Sequence, residues 1–201
     1  LYKSKKLLNI DNNAKTIKGQ KYKVMTAILY LAPAKISGFN VCPHADDCAL
    51  TCLNTAGRGQ MGSVQKGRIN KTRWYFLERK TFMAQLHKEI KRHINRCKRL
   101  KYKPAFRING TSDLKVENMG LIQKYPMAQW YDYTKNPIRM KKFIDGKMPS
   151  NYHLTFSLGS TNKIDAKKVL KLGGSVATVF RDKKLPKKFM GHKVFNADQS
   201  D

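Results

Sequence analysis

The chain has 201 residues, 41% of them hydrophobic and 10% aromatic, which is enough apolar material for an ordinary core and excludes a disordered chain. Against 13 Asp and Glu stand 41 Lys and Arg, a formal net charge of +28. An excess of this size works against the compact state by self-repulsion and points to a polyanionic partner, nucleic acid before a membrane surface.

Four cysteines are too few for a disulfide-stapled secreted scaffold, and their clustering favours metal in a reducing compartment. The first residues, L-Y-K-S-K-K-L-L-N-I, are basic but lack the apolar core of a signal peptide. The longest apolar run, Met25 to Ala34, is about half of what a bilayer span needs. These features describe a soluble intracellular protein with no membrane partner. The chain begins without Met and stops in a polar stretch, as a trimmed version of something longer would.

Taken in order, residues 1–24 are Lys- and Asn-rich and are expected as a loose basic arm or edge segment. Residues 25–34 read as a buried strand stopped by Pro33. The stretch from Asn40 to Gln60 follows, with Cys42, Cys48 and Cys52 in a C-x5-C-x3-C spacing. Thiolates bunched this closely call for a metal or for oxidation. Cys48 and Cys52 are i,i+4 and would face one way on a helical turn, while Pro43 leaves Cys42 to approach from a loop. Three sulfurs suit an iron–sulfur cluster with one open iron, or three-quarters of a zinc site that His44 could complete; the chemistry favours the cluster. Gly57-Arg58-Gly59 could bring backbone N–H groups and a guanidinium to the cluster or to a phosphate, or could simply be a flexible turn.

From about Lys66 to Leu100 the spacing predicts one helix. Phe76, Met83, Leu86, Ile90, Ile94, Cys97 and Leu100 form its apolar stripe, with Cys97 a core thiol. Arg79, Lys80, Lys88, Lys91, Arg92, Arg96, Lys98 and Arg99 make the other face. Charged faces are usually just solvated, but one of a single sign points to a phosphate backbone.

Then a β/α rhythm sets in. Strands are expected at Pro104–Asn109, Gln129–Tyr133, Tyr152–Phe156 and Ser175–Phe180, with helices at Leu114–Tyr125, Ile138–Ile144 and Ile164–Leu172, the last ending at Gly173-Gly174. Residues 181–201 are expected as an irregular tail or one more edge strand. Short connections between alternating elements mean parallel units: a partial (β/α) barrel or an open, mostly parallel sheet with flanking helices, in one domain over residues 1–201. Loops leaving the strand C-termini converge, so the cysteine loop shares a rim with Asn109, Asp113, Asp132 and Ser157. These four, with Arg58 and Arg107, are candidates to line a cavity or hold a ligand. For the loops G-T-S-D and S-L-G-S-T-N, helix capping is the plainer reading. Arg107 lies within a strand that should be buried and needs Asp113, Asp132 or a bound phosphate as partner. Walker, dinucleotide-binding, zincin and nucleophile-elbow signatures are absent, and the remaining histidines carry no recognisable chemistry.

Four motifs together, C-P-x-A-x-x-C-A-x-x-C-L-x-T-A-G-R-G (42–59), N-G-T-S-D (109–113), Y-D-Y-T-K-N-P (131–137) and Y-H-L-T-F-S (152–157), resemble a family of small phage-encoded proteins. Members are similar to a cut-down radical-SAM enzyme, with three cysteines after the first strand of a partial barrel. The resemblance implies a [4Fe-4S] cluster held by Cys42, Cys48 and Cys52, in the cytoplasm of an infected host cell. Radical-SAM enzymes space these cysteines C-x3-C-x2-C, and Gly173-Gly174-Ser175 lacks the acid of their SAM-holding Gly-Gly-Glu. Cluster binding is therefore better supported than SAM chemistry. The functional expectation is an iron–sulfur protein binding nucleic acid through its basic surface. A radical-SAM-like or reductive enzyme using the open iron, and a zinc-stabilised binder of nucleic acid or of a host protein, are the alternatives.

Overall fold

The computed structural model describes residues 4, 6–10, 14–45, 48, 52–182 and 184–197. Its strands are β1 (Leu8–Ile10), β2 (Val24–Leu29), β3 (Lys103–Arg107), β4 (Gln129–Thr134), β5 (Tyr152–Ser157) and β6 (Val176–Ala177), with β7 (Lys188–Phe189) and β8 (His192–Lys193) in a separate pair. The helices are α1 (Ala14–Gly19), α2 (Gly62–Leu77), α3 (Arg79–Leu100), α4 (Leu121–Lys124), α5 (Pro137–Ile144) and α6 (Lys163–Lys171). The first six strands form one sheet in chain order, antiparallel only between β1 and β2. This is the open, mostly parallel α/β sheet with flanking helices that the β/α rhythm anticipated.

The core shows which way each strand faces. Phe82, Leu86 and Ile90 of α3, Met140 of α5 and Ala166 and Val169 of α6 join Ala27, Leu29, Phe106, Trp130, Leu154 and Phe156 in one apolar cluster. Phe106 and Trp130 stack across β3 and β4 with ring centroids 4.7 Å apart. Along β4, Trp130, Asp132 and Thr134 are buried while Tyr131 and Tyr133 are half-buried. Along β5, Tyr152, Leu154 and Phe156 are buried while Thr155 and Ser157 are half-buried and His153 is exposed. The period of two gives β4 and β5 one buried face under helices and one half-buried face, whereas β2 is buried on both faces from Met25 to Leu29.

Several expectations are corrected in detail. The long helix is broken at Glu78 (φ −130°, ψ 52°), and the change of axis lets Trp74 and Tyr75 pack edge-on against Phe82, at 5.5 and 5.3 Å. The single stripe therefore fails at both ends, where Phe76 and Leu100 are exposed, and the core of α3 is Phe82, Leu86, Ile90 and Cys97. Cys97 is fully buried, as a core thiol should be.

The described part of the expected basic arm is not loose. Leu7 and Leu8 are buried, and their N–H groups donate to the Glu89 carboxylate at 2.8–3.0 Å. The Lys71 ammonium donates to the Leu7 carbonyl at 2.9 Å. Two adjacent leucines outweigh the lysines and asparagines around them. Residues 1–3, 5 and 11–13 of that segment, and 198–201 of the tail, lie outside the described residues. The tail contains the hairpin β7–β8, turning through Met190 and Gly191 with positive φ at both. Expected helix Leu114–Tyr125 divides at Gly120 (φ +70°) into a 3-10 turn and the short α4.

At the exit of β3, Gly110 is held by its N–H to the Leu29 carbonyl at 2.9 Å. A β-carbon there would stand 2.7 Å from that carbonyl oxygen and 2.6 Å from the Tyr30 ring. The glycine in N-G-T-S-D thus lets the exits of β2 and β3 lie against each other.

Candidate functional site

The cysteine loop leaves β2 and is tied to the exit of β3. The Thr111 hydroxyl donates to the Leu31 carbonyl, the Asp113 N–H to the Val41 carbonyl (2.8 Å), and the Cys42 thiol reaches the Thr111 carbonyl at 3.6 Å. The Thr72 hydroxyl of α2 accepts the Ala32 N–H. Residues 46, 47 and 49–51 within the loop lie outside the described residues.

Cys42 is half-buried, and burial pushes its thiol up to about 11; the nearby Cys52, Asp113 and Cys48 add to the rise, against a backbone hydrogen bond from Ala34. Burial likewise raises Cys52, with Cys48 adding to it, while the Asn54 N–H and Arg68 act the other way. The three sulfurs are near enough to feel one another's charge. Thiolates in such surroundings need a cation to persist at neutral pH. Among the described residues, no three His, Cys, Asp or Glu side chains stand at metal-holding spacing. As a donor set, three thiols are the ligand type that iron–sulfur clusters take, one short of the usual four.

Arg68 of α2, which the sequence reading did not single out, stands beside Cys52. Its guanidinium lies 5.1 Å over the Tyr30 ring and donates to the Asn54 side chain, and burial lowers its pKa. Its Nε is buried without a hydrogen-bond partner. Arg58 is exposed in the turn Gly57–Gln60.

The polar residues of the rim divide in two. Asn109, Asp113 and Asp132 are brought together, and the two carboxylates share Arg139 of α5 as a partner. Asp132 is 1% exposed and accepts the Asn109 backbone N–H (3.0 Å), the Asn109 side-chain amide (3.1 Å) and the Tyr152 hydroxyl (3.1 Å). Asp113 accepts the Thr134 hydroxyl, the Lys135 N–H and the Arg139 guanidinium (2.8 Å). Glu117 meets Arg139 at 2.9–3.1 Å, and Arg139 also donates to the Tyr152 hydroxyl. The carboxylates expected at a ligand cavity are thus engaged with one another through a buried arginine.

Arg107 is not buried as expected. It is half-buried on the opposite face, donating to the Asn109 carbonyl (3.3 Å) and lying 4.6 Å over the Tyr133 ring. Ser157 shares that face, and its carbonyl accepts from Asn162.

Burial pushes Asp132 up to about 6 against the pull of Arg139, the Asn109 N–H, Arg107 and Tyr152. An unfolded aspartate titrates near 3.9, so as pH rises the unfolded chain loses this proton first. The contribution of Asp132 to stability therefore falls between about pH 4 and pH 6 and is level above that. Relative to Asp132→Asn, the wild type is expected to lose about 3 kcal/mol across that window. Urea midpoints of both proteins at several pH values measure it, and parallel curves would contradict it.

Arg79, Lys80, Lys88, Lys91, Arg92, Arg96, Lys98 and Arg99 are all exposed on α3. Arg79 lies 3.8 Å over Tyr75. Lys88, Lys91, Arg92, Asn95, Arg96 and Arg99 line one shallow trough. No described helix is long and apolar enough to cross a membrane.

A family model described as Gene product 88 matches residues 4–201, nearly the whole chain. The chain belongs to this family. Gene product 88 is a phage-type designation, which agrees with the phage resemblance of the four motifs. No curated protein and no solved structure matches this family member. The match takes in the cysteine loop, the Arg139 network and α3 alike.

Proposed function

We propose that this Gene product 88 family member is an iron–sulfur protein that binds nucleic acid through the outer face of α3. One observation carries the nucleic-acid half. The only acid of α3 is Glu89, which is 6% exposed and occupied by Leu7 and Leu8, so the helix turns positive charge alone to solvent. A surface freed of carboxylates in this way suits a phosphate backbone.

The cluster half is supported by the donor chemistry of Cys42, Cys48 and Cys52, which would be its ligands, on the one loop that leaves β2. A bound cluster would supply a redox-active, partly open iron site. Cys42 would hold it from the sheltered side beside Thr111, and Cys48, which is exposed, from the solvent side. Arg68 would offset negative charge next to Cys52.

Anaerobic purification followed by an absorbance spectrum and metal analysis tests this half. About four irons with labile sulfide per chain are expected, lost in Cys42→Ser, Cys48→Ser and Cys52→Ser alike. A colourless protein with one zinc would replace the cluster by a structural site.

A further inference from the structure

We propose that the rings and cations of β3 and β4 on the face turned away from α3 take a single strand of nucleic acid, with bases on Tyr131 and Tyr133 and phosphates beside Arg107, Arg68 and Lys135. The proposal rests on the nucleic-acid reading and adds a second surface, distinct from α3, with a different ligand.

The alternation along the strands defines this face. Tyr131 and Tyr133 are half-buried between the buried Trp130, Asp132 and Thr134. The register pairs Phe106 with Trp130 and Tyr133 with Thr155, which puts Arg107, Tyr131, Tyr133 and Thr155 on one surface, while Ile28, the β2 partner of Arg107, is buried. Arg107 lies over Tyr133 at 4.6 Å, and Arg68 lies over Tyr30 at 5.1 Å just past the end of β2. Two arginine–tyrosine pairs therefore stand on the same rim. The Lys135 ammonium closes it at the exit of β4, where a β-carbon on Gly159 would be 2.6 Å away.

Charge decides the class of occupant. The strands of the large sheet contain one carboxylate, Asp132, and it faces the helices. The half-buried surface of Arg107, Tyr131 and Tyr133 thus combines a cation with flat rings and carries no strand acid. Cations track phosphates and rings stack on bases, the pairing by which proteins hold single strands. A duplex keeps its base faces stacked inside and cannot use the rings. Tyr131 and Tyr133 are about 6.6 Å apart along β4, roughly twice the ~3.4 Å rise of stacked bases, so each can take its own base from an opened strand.

Fluorescence anisotropy on the full chain, with a labelled oligothymidylate of about 20 nucleotides and a duplex of equal length, tests this. The double variant Tyr131→Leu/Tyr133→Leu is expected to bind the single strand about a hundredfold more weakly, at about tenfold per ring. Its duplex affinity, set by α3, should stay within about twofold, which also reports that the variant is folded. Tyr133→Phe keeps the ring and should keep the affinity. Unchanged single-strand affinity in the double variant, or equal loss for both ligands, overturns the proposal. Wild-type protein that binds duplex but not oligothymidylate overturns it and leaves the α3 reading standing. Wild-type protein that binds neither removes both.

Discussion

Reversing three charges on α3, in Lys91→Glu/Arg92→Glu/Arg96→Glu, is expected to lower duplex affinity about 500-fold at 100 mM salt and to flatten its salt dependence. Lys88 to Arg99 covers about 16 Å of helix, at ~1.5 Å per residue, and offers five cations on one stripe. If each neutralises one phosphate, affinity falls with salt at a log–log slope of about −4.5, about 500-fold between 50 and 200 mM. Removing three contacts leaves a slope of about −2. Titrations of the two proteins at several salt concentrations give both slopes directly. Equal slopes would show that α3 does not meet the backbone.

The same stripe has a local cost that makes a bland origin less economical. Lys88, Arg92 and Arg96 repeat at i,i+4, and like charges at that spacing destabilise a helix by roughly 0.2–0.5 kcal/mol per pair. Solubility could be had by scattering charge of either sign. Placing Glu89 inside, against Leu7 and Leu8, removes the one group that would have relieved the repulsion. The reversal variant should accordingly fold at least as well as the wild type, so its loss of binding is not a loss of structure.

The sequence made the architecture legible through its punctuation. Asn136-Pro137 starts α5, and the Asn136 side chain accepts from the N–H groups of Ile138 and Arg139 as a cap should. Gly173 (φ +80°) stops α6. What could not be read was which face a residue turns to. In Tyr-Asp-Tyr the alternation is plain, but whether the acid or the rings face the helices depends on register with β3 and β5. The rim carboxylates were found, yet the arginine assigned to them was Arg107, which the parity of β3 sends to the opposite face. Their actual partner left a trace: Arg139 is adjacent to Met140 and four residues before Phe143-Ile144 in turn, on the stripe that α5 buries. A cation on an apolar stripe signals a buried pair. The helix break at Glu78 left no such trace, since Phe76 and Leu100 continue the spacing on either side. The cysteine spacing was legible as donor chemistry, but Arg68 beside it was one more cation among many.

That buried arginine yields the largest stability effect. Arg139→Met is expected to destabilise the fold by about 3–5 kcal/mol, because it strands charge that the rest of the network cannot neutralise. The side chains of Arg139 and Asp132 are 2% and 1% exposed, and Asp113 and Glu117 are 12% and 13% exposed. Removing the guanidinium leaves three carboxylates and the Tyr152 hydroxyl converging on an apolar methionine. At about 2–4 °C per kcal/mol for a chain of this size, the thermal midpoint should fall by roughly 6–20 °C. Arg139→Lys should recover only part of this, since an ammonium cannot meet Asp113, Glu117 and Tyr152 at once in the planar geometry the guanidinium provides. The loss should also shrink on acidification, as the stranded carboxylates take up protons and Asp132, already pushed up to about 6, is among the first. Melting curves of the three proteins at pH 7.5 and pH 4.5 contain the whole test. A midpoint unmoved in Arg139→Met, or a loss that does not depend on pH, would mean that these groups do not hold the strand exits together. The α3 stripe lies outside this network, so duplex binding measured well below the lowered midpoint should be retained, which separates what holds the rim from what meets the duplex.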